Sequence, residues 1–282
     1  MRLVRTRKEV RESVAAARAE NLSVGFVPTM GAFHDGHLAL MGEAKGRTGF
    51  VVVSLFVNPM QFNDPGDLAR YPRDEARDAA AAAAAGVHVL FVPDASELYP
   101  PGFDTAVMVE RLSEPLEGAF RGPGHFRGVA TVVAKLLNIV RPDFVFFGQK
   151  DAQQALIVRR MARDLDFETD LVVCPTVREP DGLAMSSRNA LLPPGERPRA
   201  AALSRALLAV EQAVRSGARH PEMALEAGRA ILRDADVVPE YFAIVDAASL
   251  EPPDTLRGDL LVVIAAKLGG VRLIDNLLLG PL

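Results

Sequence analysis

Cysteine is nearly absent from this sequence of 282 residues, and neither a long apolar run nor a basic surplus is present. The single cysteine, Cys174, excludes an intrachain disulfide and suits a reducing compartment. The longest apolar runs, such as 50–57 and 260–266, have strand length and are too short to span a bilayer. The first residues carry charges but no apolar segment of a secretory signal. We therefore expect a cytoplasmic protein without a membrane segment.

The net charge of −4 argues against nucleic acid as the main partner, because phosphate-binding surfaces usually show a basic surplus. Small anions can still bind where a few lysines and arginines converge. About half of the residues are apolar (49%) and a quarter are charged (24%), which is ordinary for a globular protein that buries a core.

The first part of the chain alternates between apolar, strand-like runs and segments of helical period, which predicts an α/β fold with a doubly wound parallel sheet. The predicted strands are Val24–Val27, Phe50–Val57, Val87–Val92, Phe144–Phe147 and Leu171–Val173. The predicted helices are His37–Lys45, Asp74–Ala85, Val129–Val140 and Asp151–Asp164. Residues 1–175 are thus predicted to form a Rossmann-like domain with its ligands at the carboxyl ends of the strands.

The pattern changes after about residue 175, where a polar loop leads into two helical segments and then short strands. The helices are predicted at 196–216 and 222–234, and the strands at 241–245, 261–266 and 271–274. Residues 176–282 therefore read as a smaller α+β domain.

Two histidines bracket a glycine directly after the first predicted strand, in His34-Asp35-Gly36-His37. The helix that follows offers unpaired N–H groups and a positive dipole end to a phosphate. Each histidine can donate a hydrogen bond to a phosphate oxygen as charge builds up in a transition state. A structural role or a metal site is the alternative, although no cysteine or glutamate stands nearby at zinc-ligand spacing.

Polar side chains also follow the next predicted strands. Asn58 and Gln61 come after the second strand, and their carboxamides suit a hydroxyl or a carboxylate of a small substrate. Lys150 and Asp151 come after a later strand, where a lysine suits phosphate and an aspartate can cap the helix or meet a ribose. Gln154 lies one turn further on the same face. A turn and an ordinary helix cap are the structural alternatives.

A polar loop near the boundary, Asp181–Asn189, carries Ser186, Ser187 and Arg188, which together could clamp a phosphate. An ordinary connecting loop is the alternative. Among the remaining charged segments, the basic loop with Arg121, His125 and Arg127 is compatible either with an anionic substrate or with a surface turn. The carboxylates of Asp74, Glu75 and Asp78 look like a solvated helix face, and a Mg²⁺ contact there is the alternative. His88 and His220 are interpreted as structural.

These motifs, in this order and spacing, resemble the pantothenate synthetase family of the HxGH nucleotidyltransferase superfamily. The segments FVNPMQF, FGQKDAQQ, GHFRGV and DGLAMSSRN are more specific than HxGH alone, and RLIDN near the end extends the resemblance to most of the chain. The resemblance implies an AMP-forming pantoate–β-alanine ligase, ATP as a substrate, Mg²⁺, and a homodimer.

The resemblance also assigns roles to individual residues. His37 would assist as a proton donor, and the other catalytic residues would be His34, Lys150 and Arg188. Gln61, Gln154 and Asn58 would contact the substrates pantoate and β-alanine. The ATP site would consist of Met30, Gly31, Ala32, Phe33, His34, Asp35, Gly36, His37, Gly148, Gln149, Lys150, Asp151, Val177, Met185, Ser186, Ser187 and Arg188. No residues are assigned to a metal.

Three other functions remain open from sequence alone. A cytidylyltransferase on the same fold would use CTP and a phosphate nucleophile. A nucleotide-binding sensor would bind ATP without turnover, although both histidines, Lys150 and Arg188 are present. A fragment of an aminoacyl-tRNA synthetase should carry a basic RNA-binding segment, and this chain is acidic.

Overall fold

The computed structural model describes residues 1–63 and 65–280, so the last two residues of the predicted 176–282 domain lie outside it. The chain divides into two compact units. The first unit consists of Met1–Gln149 and Gln153–Pro175, and the second consists of Lys150–Ala152 and Thr176–Leu282. The division into domains 1–175 and 176–282 stays a prediction; the two units differ from it in the placement of Lys150–Ala152.

Strands and helices alternate in the first unit, and the second unit places its helices before its strands. The strands of the described residues are β1 Arg2–Val4, β2 Val24–Thr29, β3 Phe50–Leu55, β4 Val89–Phe91, β5 Phe144–Gly148, β6 Asp170–Cys174, β7 Pro239–Asp246, β8 Leu260–Leu268 and β9 Val271–Leu279. The α-helices are α1 Arg7–Ala19, α2 Asp35–Arg47, α3 Pro65–Arg70, α4 Glu75–Ala84, α5 Ala95–Leu98, α6 Glu117–Arg121, α7 Pro123–Val140, α8 Ala152–Asp164, α9 Arg197–Ala200, α10 Ala202–Arg215 and α11 Pro221–Asp234.

The first unit contains a six-stranded sheet in the order β1-β4-β3-β2-β5-β6, and its strand pairs are parallel. The predicted α/β fold with a parallel sheet is therefore confirmed. The inner strands are apolar along their length because helices cover both faces of such a sheet. From β2 the chain proceeds to β3 and β4 on one side, and β5 and β6 lie on the other. The sheet thus has a switch point between β2 and β5, where ligands bind in folds of this kind.

Strand β1 and helix α1 were not predicted from the sequence, and both have local causes. Helix α1 begins with a capping box, in which Thr6 accepts from the backbone N–H of Glu9 and the Glu9 carboxylate accepts from the backbone N–H of Thr6. Its buried residues Val10, Val14 and Ala17 recur every three or four positions and form one apolar face. Strand β1 is only three residues long and pairs with β4 at the edge of the sheet.

The second unit contains the antiparallel sheet β7-β8-β9 and the helices α10 and α11. The central strand β8 is buried over almost its whole length, and its apolar residues join those of α10 and α11 in one core. The predicted smaller α+β part is therefore confirmed in its architecture. In the described part of the chain, no helix combines the length and the apolar character needed to cross a membrane.

Candidate active site

The predicted site residues of the first unit follow three neighbouring strands, because β2 pairs with both β3 and β5. The histidine motif follows β2, the carboxamide motif follows β3, and Gly148 closes β5. Carboxyl ends of parallel strands lie along one edge of the sheet, so the topology brings these loops together at the switch point.

Both histidines of the first motif use the ring nitrogen Nδ1 as an acceptor. His34 Nδ1 accepts the backbone N–H of Gly36 at 3.1 Å, and His37 Nδ1 accepts the backbone N–H of His34 at 3.4 Å. In the neutral rings the proton therefore resides on Nε2, which makes Nε2 of each ring the donor. The two rings lie 4.1 Å apart between centroids. Gly36 permits this arrangement, since a Cβ there would lie 2.9 Å from the His34 ring.

Asp78 is not part of a solvated helix face, so the interpretation of Asp74, Glu75 and Asp78 is wrong for this residue. Its side chain is buried, with 1% of the residue exposed. One carboxylate oxygen accepts the backbone N–H of Ala32 at 2.7 Å, and the other accepts that of Phe33 at 2.8 Å. Ala32 has a φ of +53°, a conformation that costs free energy in any residue with a side chain. Asp78 therefore holds the turn that leads into the two histidines.

Asn58 is buried and uses all four of its hydrogen-bonding positions. Its Oδ1 accepts from the backbone N–H of Met60 at 3.2 Å and from the hydroxyl of Tyr99 at 2.8 Å. Its Nδ2 donates to the carbonyl of Gly128 at 3.1 Å and to Oε1 of Gln61 at 3.0 Å. Gln61 directs Nε2 to Sδ of Met30, at 2.9 Å, which joins the carboxamide segment to the loop after β2.

Helix α7 anchors the backbone of the same segment. His125 is buried, and its Nδ1 lies 2.9 Å from the carbonyl oxygen of Gln61. A carbonyl only accepts, so Nδ1 carries the proton in this bond. Of the two interpretations of the basic loop, the surface turn is therefore wrong for His125. Its ring is buried and holds the backbone of Gln61, a predicted site residue. Arg127 is exposed, and Arg121 is half-buried.

The segment Gly148–Asp151, at the end of β5, is divided between the two units. Gly148 and Gln149 belong to the first unit, and Lys150 and Asp151 belong to the second. Within the second unit, the ammonium of Lys150 lies 3.6 Å from the carboxylate of Asp151, and the Lys150 carbonyl accepts from Nδ2 of Asn276 at 2.9 Å. The buried Asn276 thus fixes the backbone at Lys150.

The two glutamines that follow occupy different environments in the first unit. Gln153 is buried, and its amide bonds the backbone of Leu112, Pro115 and Glu117, which gives it a structural role. Gln154, the residue predicted to contact substrate, is only half-buried.

The polar loop Asp181–Asn189, predicted to clamp a phosphate, begins within a hairpin of the second unit. Met185 N–H donates to the carbonyl of Val177 at 2.9 Å, and Arg178 forms a bridge with Ala184. Beyond the hairpin, Ser186 Oγ accepts the backbone N–H of Arg188 at 3.2 Å and starts a 3₁₀ turn at Ser187–Leu191. The side chains of Met185, Ser186, Ser187 and Arg188 are half-buried.

Two arginines form ion pairs that fix the base of this hairpin. Arg178 bonds both carboxylate oxygens of the buried Asp275, at 2.6 and 3.1 Å. Arg197 bonds the carboxylates of Glu179 and Asp181, and its hydrogen bond to Asp181 holds the pKa of that carboxyl below its ordinary value. The loop predicted to clamp a phosphate is therefore attached through a base held by ion pairs.

Cys174 and His88 lie outside the site chemistry. Burial raises the pKa of the Cys174 thiol to about 11, so the sulfur stays protonated and a poor nucleophile at neutral pH. His88 Nδ1 accepts the backbone N–H of Val51 at 2.9 Å, and its ring stacks on Phe50. Partial burial lowers the pKa of His88. The structural interpretation of His88 agrees with these contacts.

Sequence reasoning missed Tyr99 and Asp78 as supports of the site and assigned no role to His125. Tyr99 stands 41 residues from Asn58, and His125 stands 64 residues from Gln61, so no local pattern connects them. Asp78 directly precedes a run of seven alanines, in which apolar periodicity cannot reveal the buried face. Its one available signal is a charged residue within a helix otherwise free of long side chains after Arg77.

Comparison with known proteins extends over the whole chain. The family model described as pantoate–β-alanine ligase matches residues 2–278. The chain belongs to the pantoate–β-alanine ligase family. It is an enzyme of that class and shares the family's reaction, the joining of pantoate to β-alanine.

Curated relatives of the ligase family match at full length. The pantothenate synthetase of Pelotomaculum thermopropionicum is 49% identical over 283 residues and is covered in full, as is this chain. That of Moorella thermoacetica is also 49% identical, with 99% of each chain covered.

Solved structures of the ligase family have the same fold. The crystal structure of the Thermus thermophilus pantothenate synthetase superposes with a TM-score of 0.94 at 47% identity, with both chains fully covered. A pantoate–β-alanine ligase of Francisella tularensis, solved in complex with βγ ATP and β-alanine, gives a TM-score of 0.80 at 33% identity and covers 99% of this chain and 97% of its own.

Proposed function

We propose that this chain condenses (R)-pantoate with β-alanine in an ATP-dependent reaction that passes through pantoyl-adenylate and releases AMP and pyrophosphate. The observation that carries the proposal is the pair of histidines at the switch point, both of which are held with Nε2 as the donor nitrogen. Two such donors beside a helix N-terminus suit a polyphosphate whose charge rises during reaction. The family match and the ATP complex of the Francisella relative support the choice of substrates.

In the first step, a carboxylate oxygen of pantoate attacks the α-phosphorus of ATP in line with the departing pyrophosphate. A C–O–P linkage forms and the bond between the α-phosphorus and the bridging oxygen breaks. The tasks of the protein are positioning and neutralisation of charge, since such a displacement needs little covalent help. His34 and His37 would donate to phosphate oxygens, and Lys150 and Arg188 would supply positive charge. Gly148–Asp151, Val177 and Met185–Arg188 would complete the ATP site.

In the second step, the amine of β-alanine attacks the carbonyl carbon of the adenylate. The C–N bond forms, AMP leaves with the former carboxylate oxygen, and the amine loses a proton. Gln61 would contact both pantoate and β-alanine, and Gln154 would contact pantoate. Water must be kept from the adenylate until the amine has reacted.

Mg²⁺ is part of this proposal as the ion of MgATP. Magnesium retains several waters and commonly binds through substrate phosphates with one or two carboxylates. The donor set fits an ion held mainly by the nucleotide. Among the described residues, no cluster of three or more His, Cys, Asp and Glu side chains could hold a metal, and both oxygens of Asp78 already accept backbone hydrogen bonds.

Pyrophosphate exchange and AMP formation test the two steps separately. With pantoate alone, the enzyme should exchange labelled pyrophosphate into ATP, and AMP turnover should require β-alanine. When the pantoate carboxylate carries ¹⁸O, the label should appear in AMP. AMP free of ¹⁸O would refute the adenylate. Consumption of CTP with a phosphorylated acceptor, in place of ATP with pantoate, would refute the choice of substrates.

The cellular setting and the assembly belong to the same proposal. Because the reaction consumes ATP, we place it in the cytoplasm, with small molecules as its partners and no nucleic acid. We propose a homodimer from the resemblance to the family, which light scattering on the purified chain would test: a mass of one chain would refute it.

A further inference from the structure

The direction of the Gln61 amide is fixed by a network that begins at the protein backbone. Met60 N–H can only donate, so the Asn58 atom that it contacts is the oxygen. The Gly128 carbonyl can only accept, so the Asn58 atom that it contacts is the nitrogen. Both backbone groups therefore give the same orientation of the Asn58 amide.

Asn58 passes this orientation to Gln61. Because Asn58 Nδ2 is a donor, the Gln61 atom 3.0 Å away must be Oε1, and the other end of the Gln61 amide must be the NH₂ group. That NH₂ group lies against Met30, which directly follows strand β2 and precedes the histidine motif. Gln61 therefore presents donors at this position, which suit a carboxylate or hydroxyl oxygen of a substrate.

Tyr99 provides the second bond to the same Asn58 oxygen, at 2.8 Å. Since that oxygen can only accept, the phenol must donate. Burial raises the pKa of Tyr99 above its ordinary value, so the phenol keeps its proton across the physiological range. The ring is itself held by packing: it lies 5.1 Å from the Phe103 ring, and the Lys135 ammonium lies 4.4 Å from the centre of Phe103.

We propose that Tyr99 is a positioning residue that acts through Asn58 to hold the Gln61 amide with its NH₂ group toward an acceptor oxygen of the substrate. Tyr99 itself need not touch the substrate. Loss of its hydroxyl leaves a lone pair of the buried Asn58 oxygen unsatisfied and weakens the hold on the position of the Asn58 amide, although Met60 and Gly128 still set which end is oxygen. The inference rests on the proposed contact between Gln61 and the substrates.

A double-mutant cycle tests whether Tyr99 acts through Gln61. Tyr99→Phe should lower kcat/KM for pantoate about tenfold, the change that corresponds to one ordinary hydrogen bond, and leave KM for ATP unchanged. In a Gln61→Ala background, the same substitution should have no further effect. Single-turnover formation of pyrophosphate at high enzyme concentration keeps the slow variants measurable. An equal loss in both backgrounds, or no loss in either, would overturn the proposal.

The matched control is Tyr241→Phe, which removes the same atom from strand β7 of the second unit and should leave kcat/KM unchanged. A loss of the same size in this control would overturn the specific role of Tyr99. If the unmodified enzyme shows no pantoate-dependent exchange of pyrophosphate into ATP, the proposed function fails. The hydrogen-bond network of Tyr99, Asn58 and Gln61 can still be tested without substrate. The side-chain amide NMR signals of Asn58 and Gln61 should shift in Tyr99→Phe; if they do not move, the network is wrong.

Discussion

Replacement of Gly128 by alanine should reduce activity much more than a single methyl group would suggest. Gly128 lies in α7 where the helix meets the backbone of Met60 and Gln61. A Cβ added there would lie 2.2 Å from the carbonyl oxygen of Met60 and 2.7 Å from the backbone nitrogen of Gln61. Both atoms belong to the main chain, so no side chain can rotate out of the way.

The size of the effect follows from this geometry. Ordinary contact between a Cβ and a neighbouring atom begins near 3.4 Å, so the Met60 carbonyl and α7 must separate by roughly 1 Å. Overpacking of this kind costs about 1–3 kcal/mol of stability. The same shift moves Gln61, and a misplacement of about 1 Å near the reacting groups can cost about 10²-fold in rate. We expect kcat/KM for pantoate to fall by that order.

The assay is AMP formation with saturating ATP and β-alanine, together with the urea midpoint of unfolding. Gly42→Ala is the matched control, since Gly42 lies in helix α2 and a Cβ there would meet no atom within 4 Å. That variant should keep full activity and gain about 0.5–1 kcal/mol in stability. If Gly128→Ala keeps kcat/KM within a factor of about three, the close approach of α7 does not position Gln61 and the reasoning fails.

Three further predictions concern side chains that support the fold. Asp78→Asn should cost about 1–3 kcal/mol and lower kcat, because its NH₂ group would face a buried backbone N–H; an unchanged urea midpoint and kcat would contradict this. Asp275→Asn should lower the free energy of unfolding by about 2–3 kcal/mol, less than for a fully buried ion pair, because the Arg178 side chain is 30% exposed. Calorimetry at neutral pH measures this loss, and a loss below about 0.5 kcal/mol would refute the prediction. The pKa of His88 is lowered in the folded protein, so below about pH 6.5 the unfolded chain binds more protons at this residue. Stability should therefore fall as the pH drops through this range. His88→Asn, which keeps a hydrogen-bond acceptor for Val51, should show a smaller loss of stability between about pH 7.5 and 5.5.

Much of the fold could be predicted because buried strands have a strong local signal. The predicted strands at 24–27 and 144–147 differ from β2 and β5 only at their carboxyl ends, where the polar loops begin. The rule that ligands bind at the carboxyl ends of parallel strands also singled out the histidine motif after β2, and Asn58 and Gln61 after β3. β-branched, continuously apolar segments have few alternatives to a sheet covered on both faces.

The supports of the site could not be predicted, since each acts over a long separation in sequence. Asn58 bonds Gly128 across 70 residues, and Asp78 bonds the turn at Ala32 across 46. The sequence shows which side chains can bond but not which of them the topology brings together. Strand β1 was missed for another reason: three residues that begin with an arginine carry too little apolar signal.

Helix α4 has a consequence for the way this sequence can drift over evolutionary time. Seven of the ten residues of this helix are alanines. Its buried residues are Asp78 and Ala82, which stand one turn apart on the same face. Ala80, Ala83 and Ala84 are exposed, so a longer side chain at these positions can extend into solvent. We therefore expect related chains to vary along the outer face of this helix and to keep the aspartate one turn before its buried alanine.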